Sequence, residues 1–213
     1  PALRSIALRT LLVSGTATVI AMLAAVPCAY MLARHRFRGR TLAMGALNTG
    51  LGLPPVIVGL VVWVLLVRSG PLGDLEIVYT KRGLVVAQAV LAFPIIVALG
   101  TAAFQALPAE LPDLLRVLGA GRLRMLWLLS KEARLGLIAA VIAGFGAAIS
   151  EVGASMIVGG NLRGNTRVLT TAIVTETSRG QNGLAMAYGI VLLGLAFMVT
   201  AGLTALQQRG RRP

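Results

Sequence analysis

Apolar residues in this chain gather into five long runs, 11–32, 41–67, 84–107, 135–158 and 184–206, and polar residues fall mainly between them. A helix rising about 1.5 Å per residue needs about 20 apolar residues to cross about 30 Å of hydrocarbon. Each run meets that length. None is built from the short alternating segments that mark a membrane β-barrel. The pattern predicts an all-α integral membrane protein, a single domain over 1–213 with five transmembrane helices.

Interruptions within the runs carry further information. Leu53-Pro54-Pro55 lies inside the second run, and adjacent prolines remove two backbone donors and clash with the preceding turn, so this span is expected to kink or unwind. Carbonyls freed inside a bilayer must meet neighbouring helices or a water-lined cavity. The break, flanked by Asn48, Thr49, Gly50 and Gly52, is therefore a candidate pathway wall, with a simple tilt as the equal alternative. Pro94 poses the same question in the third run. The fourth carries Gly136, Ala140, Gly144 and Ala148 at four-residue spacing, a small-residue face suited to close helix contact within one protomer or across a dimer. Asn48, Pro54, Pro55, Ser150, Gly153 and Asn161 together form the candidate path or gate.

Two polar loops remain. In 108–134, Pro112 suits a first helical position, Asp113 complements the positive helix end and can pair with Arg116, and Gly119 permits the left-handed turn that stops the helix. Leu114, Leu115 and Leu118 give this helix an apolar face, and Leu123, Leu126 and Trp127 begin a second amphipathic piece. Exposed leucines on such a hairpin need a groove on another protein. In 159–183, glycines and asparagines mark turns before a hydroxyl-rich segment too short to span. Arg163, Thr166, Arg167, Thr170 and Thr171 offer donors to an oxyanion, or a surface for an external partner.

Composition agrees: 57% hydrophobic residues, 13% charged and a mean hydropathy of +0.85 exceed what a soluble domain hides from water. The net charge of +13 is mainly a topology signal. Basic residues in short loops resist translocation, and placing 34–40, 108–134 and the C-terminal tail inside puts twelve of them there against eight outside. The N-terminus is then outside and the C-terminus inside, and attraction to anionic lipid contributes about 1 kcal/mol per well-placed residue. Nucleic acid is not required. The first run is expected to remain as an anchor, since Arg34, Arg36, Arg38 and Arg40 follow it instead of a cleavage site. Cys28, the single cysteine, is read as packing, and His35 as a solvated loop residue.

The loop Asp113-Leu114-Leu115-Arg116-Val117-Leu118-Gly119-Ala120 resembles that of ABC importer permease subunits, whose cytoplasmic loop follows Glu-Ala-Ala, three variable residues, then Gly. Asp113 stands at the Glu position, Leu114 and Leu115 at the Ala positions, and Gly119 at the Gly; Lys131 and Glu132 occupy the region where a Leu-Pro closes the pattern. Glu151-Val152-Gly153-Ala154, Val158-Gly159-Gly160-Asn161, Thr166-Arg167-Val168, Thr170-Thr171-Ala172-Ile173, Leu53-Pro54-Pro55-Val56 and Ser69-Gly70-Pro71-Leu72-Gly73 look like the tungstate-type permeases, with molybdate permeases as near relatives.

The resemblance implies a type I importer fold in a bacterial or archaeal inner membrane. It implies a second copy of the chain around a central path, two cytoplasmic ATPase subunits carrying ATP-Mg, and an external oxyanion-binding protein. Asp113, Leu114, Leu115, Arg116, Leu118, Gly119 and Ala120 would couple to the ATPase, while this chain would bind no cofactor or metal and hold no catalytic residue. Gly119-Ala120-Gly121 lacks the lysine of a phosphate loop, so ATP hydrolysis is assigned elsewhere. For an anionic cargo an ionised Glu151 on the path would repel it; Glu151 is therefore expected to be structural, bonded to backbone or paired with Arg163 or Arg167. Competing classes fit less well. An intramembrane enzyme needs buried nucleophiles or paired acids, yet Asp74 and Asp113 both sit in loops, and the inverted repeat of an ion-coupled carrier is not evident.

Overall fold

The computed structural model describes residues 2–35 and 37–209, and among these every regular element is helical. Pro1, and Arg36, Arg211 and Arg212 of the basic flanks, lie outside them. The helices are α1 (Ala2–Arg34), α2 (Arg40–Leu51), α3 (Pro55–Leu66), α4 (Lys81–Gln105), α5 (Leu111–Val117), α6 (Arg122–Glu132), α7 (Arg134–Ser150), α8 (Gly153–Gly159), α9 (Leu169–Ser178) and α10 (Asn182–Arg209), with one 3₁₀ turn at Gly73–Leu75. By length and composition, α1, α4 and α10 can each cross a membrane. The pairs α2 with α3 and α6 with α7 pass the same test but bend by 110° and 80°.

The core forms around α4, which packs against α1, α2, α3, α7 and α8. On α1 the apolar character runs all round, and side-chain size separates its faces. Thr10, Ser14, Ala17, Ala21, Ala25 and Ala29 are buried, whereas Leu8, Leu12 and Leu23 are exposed. Where lipid is as apolar as leucine, close backbone approach and dispersion drive helix association, so the small face turns inward. The stripe on α7 obeys the same rule within the protomer. A Cβ added at Gly136 would lie 2.5 Å from Ala103 Cβ, and one at Gly144 would lie 2.6 Å from Ile96 Cγ1. Pro94 sits inside an unbroken α4, and its ring receives Gly50 of α2, where a Cβ would come within 2.9 Å.

One expectation is met and two need correction. The 41–67 run is two helices meeting at 110°, because Pro54 and Pro55 withdraw the donors that Gly50 and Leu51 carbonyls would use. The 135–158 run is also two helices, since α7 stops at Ser150 and α8 starts at Gly153 with Glu151 extended at ψ 131°. The helix expected to start at Pro112 begins at Leu111, so Pro112 is its second residue.

Candidate functional site

The two helix breaks meet. Gly153 opens α8 against the first turn of α3, where a Cβ would lie 2.6 Å from Val56 Cγ2, and Gly59 approaches Ala154 so closely that a Cβ would be 2.5 Å from its Cα. Proline at the first position of α3 loses nothing, since that N–H has no intrahelical acceptor. Residues 51–57 are exposed, as are Asn48 one turn earlier and Ser150 at the end of α7. Ser150 Oγ donates to Gly146 O at 2.7 Å. Pro54 and Pro55 thus lie on the exposed surface at the first break with Asn48 beside it, Ser150 is exposed before the second, and half-buried Gly153 joins the two breaks through its contact with Val56.

Glu151 is kept off that surface. It is buried, and its carboxylate accepts the Ala154 N–H at 2.7 Å, capping α8 where a negative charge is favoured by the exposed amides. Its carbonyl accepts Thr170 Oγ at 2.9 Å. The expected bond to backbone is present. The expected arginine is not: Arg167 instead faces Glu176 at 3.7 Å, and Arg179 reaches the same carboxylate at 3.5 Å.

Around α9 the threonines act as internal ties. Thr166 Oγ donates to Gly159 O and accepts Leu162 N–H, and Thr171 Oγ accepts Val168 N–H. Thr10 Oγ of α1 accepts Leu169 N–H at 2.9 Å. Thr166, Thr170 and Thr171 are all buried, so their hydroxyls are not presented to a ligand from outside. Asn161, placed above with the path, belongs here as well. It sits at φ 50°, its amide donates to Thr175 Oγ at 2.6 Å, and its oxygen accepts Arg167 Nε at 3.2 Å. Arg163 is exposed. Arg9, Glu176 and Arg179 were not singled out by sequence. The spacing of Glu176 three residues before Arg179 was the available local signal.

The hairpin of α5 and α6 is closed at Gly119, φ 79°. Its N–H donates to Arg116 O at 2.9 Å and that of Ala120 to Leu115 O at 3.0 Å, the paired bonds that terminate a helix through a left-handed glycine. Asp113 and Arg116 pair at 2.6 Å, but both are largely exposed, so the pair contributes a few tenths of a kcal/mol at most. The apolar face differs from expectation. Leu115 packs against the core together with Leu111 and Ala120, while Leu114, Val117 and Leu118 are 58%, 87% and 71% exposed, followed by Leu123 at 84%. Leu114, Val117 and Leu118 form an exposed i, i+3, i+4 apolar ridge on an otherwise polar hairpin.

The pattern held by known proteins decides the family. Residues 17–212 match the model of the binding-protein-dependent transport system inner membrane component. The chain belongs to that family. Among its relatives, the tungstate uptake system permease protein TupB of Peptoclostridium acidaminophilum is 38% identical over 98% of this chain and 91% of its own length. A probable anion ABC transporter permease protein of Haloferax volcanii is 37% identical over 92% and 87%. The molybdenum transport system permease protein ModB of Escherichia coli K12 is 31% identical over 84% and 82%. Among solved structures, a chain of the MetNI methionine ABC transporter in an inward-facing form superposes with a TM-score of 0.79 over 99% of this chain and 97% of that one, at 17% identity. The fold is thus that of an ABC importer permease, and as a family member this chain is the inner-membrane component of a transport system that works with a binding protein.

Proposed function

We propose that this permease imports an oxyanion, tungstate in the first place and molybdate as the alternative, through a path formed with a second copy of itself. Two cytoplasmic ATPase subunits holding ATP-Mg drive it, and an external binding protein delivers the cargo. The N-terminus is outside and the hairpin around Gly119 is inside. The observation carrying this reading is the ridge Leu114, Val117 and Leu118, exposed on a hairpin whose stop is built into the backbone. Such a ridge transmits displacement from a partner only if its own turn is stiff, and the two bonds through Gly119 supply that stiffness.

The breaks at 52–54 and 151–152 supply the other half of the mechanism. Residues 52–54 are exposed and 151–152 lie just beneath them through the contact of Gly153 with Val56, and both interrupt the regular helical ladder, so they suit a wall that must open first to one side and then to the other. Burial of Glu151 beneath α8 supports an anionic cargo, because the carboxylate nearest the breaks is turned away from them. The cargo assignment draws on relatives named for tungstate, molybdenum and anion transport. It is tested by ATP-dependent uptake into proteoliposomes containing permease, ATPase and binding protein, with tungstate, molybdate and sulfate compared. Tungstate uptake that needs ATP and all three components is expected. Equal stimulation by all three anions would remove the cargo assignment, and uptake without the ATPase would remove the importer.

A further inference from the structure

A cavity of about 370 Å³ lies where the first turns of α1, the loop after α8, the end of α9 and the start of α10 converge; its wall includes Arg9, Arg163, Arg167, Arg179, Glu176 and Gln181. Four guanidiniums face one carboxylate there, a surplus of three positive charges. Two of them, Arg9 and Arg167, are held in place by the protein. Arg9 is clamped by two carbonyls, Nη1 donating to Arg167 O and Nη2 to Gly164 O, each at 2.8 Å, contacts that orient the cation and cancel none of its charge. Arg167 and Arg179 share Glu176, which is buried. Arg163 stands exposed with no acidic partner among the described residues. Concave sites with an excess of one sign focus potential, and the guanidinium fork matches the oxygens of a tetrahedral anion.

We propose that this cavity binds a tetrahedral oxyanion, free or as the phosphate of a lipid headgroup, at a place separate from the surface formed by the two helix breaks. Arg163 and Arg179 supply the mobile donors, Arg9 and Arg167 the fixed field. Only the placing of the cavity on the outer face rests on the import reading.

The test is equilibrium binding of radiolabelled inorganic phosphate and of tungstate to the permease–ATPase complex, without binding protein, in nanodiscs of phosphatidylcholine or of phosphatidylglycerol. Arg163→Gln with Arg179→Gln is expected to raise the dissociation constant at least tenfold, while Arg122→Gln with Arg124→Gln, removing equal charge from α6, which does not line the cavity, leaves it within twofold. Thermal melts of both variants show whether the fold is intact. Binding in phosphatidylcholine alone, with arginine-dependent retention of phosphatidylglycerol by native mass spectrometry, identifies the headgroup as the occupant; binding in both lipids identifies the free ion. Equal loss in both double variants, or no arginine-dependent ligand in either lipid, overturns the site. Arginine-dependent binding without ATP-driven uptake would leave this site standing and sink the import reading, and the converse would sink the site alone.

Discussion

At Gly119 the backbone conformation and the surrounding space can be separated. Its φ is 79°, yet a Cβ there would meet nothing within 4 Å, so any cost of substitution is conformational, about 1–2 kcal/mol for a residue forced into the left-handed region. Gly119→Val should therefore preserve the folded permease, with a melting temperature within a few degrees of the parent in detergent, while ATP-dependent uptake falls at least tenfold. Uptake at the parental rate would show that the turn does not transmit force. Glu151 offers a second contrast. Glu151→Gln keeps an oxygen for Ala154 N–H and should shift stability little, whereas Glu151→Leu leaves a buried donor unmet, costing about 1–3 kcal/mol, measurable as a lower midpoint in thermal unfolding. The sequence identified Gly119 as a stop through local turn chemistry, and Glu151 as structural through the repulsion an anionic cargo would meet there. It could not say which leucines of the hairpin turn inward, because seven residues make under two turns and Leu114 and Leu115 are equally apolar. Only the packing of Leu111 and Leu115 on the bundle separates them.

Among the elements, long apolar helices were legible because a span is a property of its own composition. The two-part nature of 135–158 was not, since α8 is set off from α7 by Glu151 folding back onto Ala154 and by Thr170, 19 residues away, donating to its carbonyl. The inward face of α1 did carry a signal, small residues at three- and four-residue spacing like those on α7, and the same reading applied there finds it. The contact of α3 with α8 leads to a paired prediction. Gly59→Val must push Ala154 backbone away, an overpacking worth about 1–3 kcal/mol, and should lower the unfolding midpoint by several degrees. Gly146→Ala, which meets nothing within 4 Å, should leave the midpoint unchanged or raise it slightly. Equal behaviour of the two variants would mean that the close approach does not hold in the membrane.

For the whole molecule, orientation and assembly follow from where charge and apolar surface lie. On α10, Ile190, Leu193 and Phe197 are 63%, 72% and 72% exposed, a face for lipid or a second copy. Orientation can be read directly by cysteine labelling in a Cys28→Ser background. An impermeant maleimide added outside intact cells should modify Arg163→Cys and spare Val117→Cys until the membrane is opened. The reverse pattern would invert the topology and detach the hairpin from any cytoplasmic motor. The two interruptions that face each other across Gly59 and Gly153 have one more consequence. Rotation about residues 52–54 and 151–152 would disturb only the short bonds that bridge the breaks, Gly52 N–H to Thr49 O and Glu151 N–H to Ala148 O with the ties from Thr170 and Ala154, and would leave the interior ladders of α2, α3, α7 and α8 whole. In the importer proposed above, the ATPase's work would then go largely into stripping hydration from the cargo and prising two protomers apart.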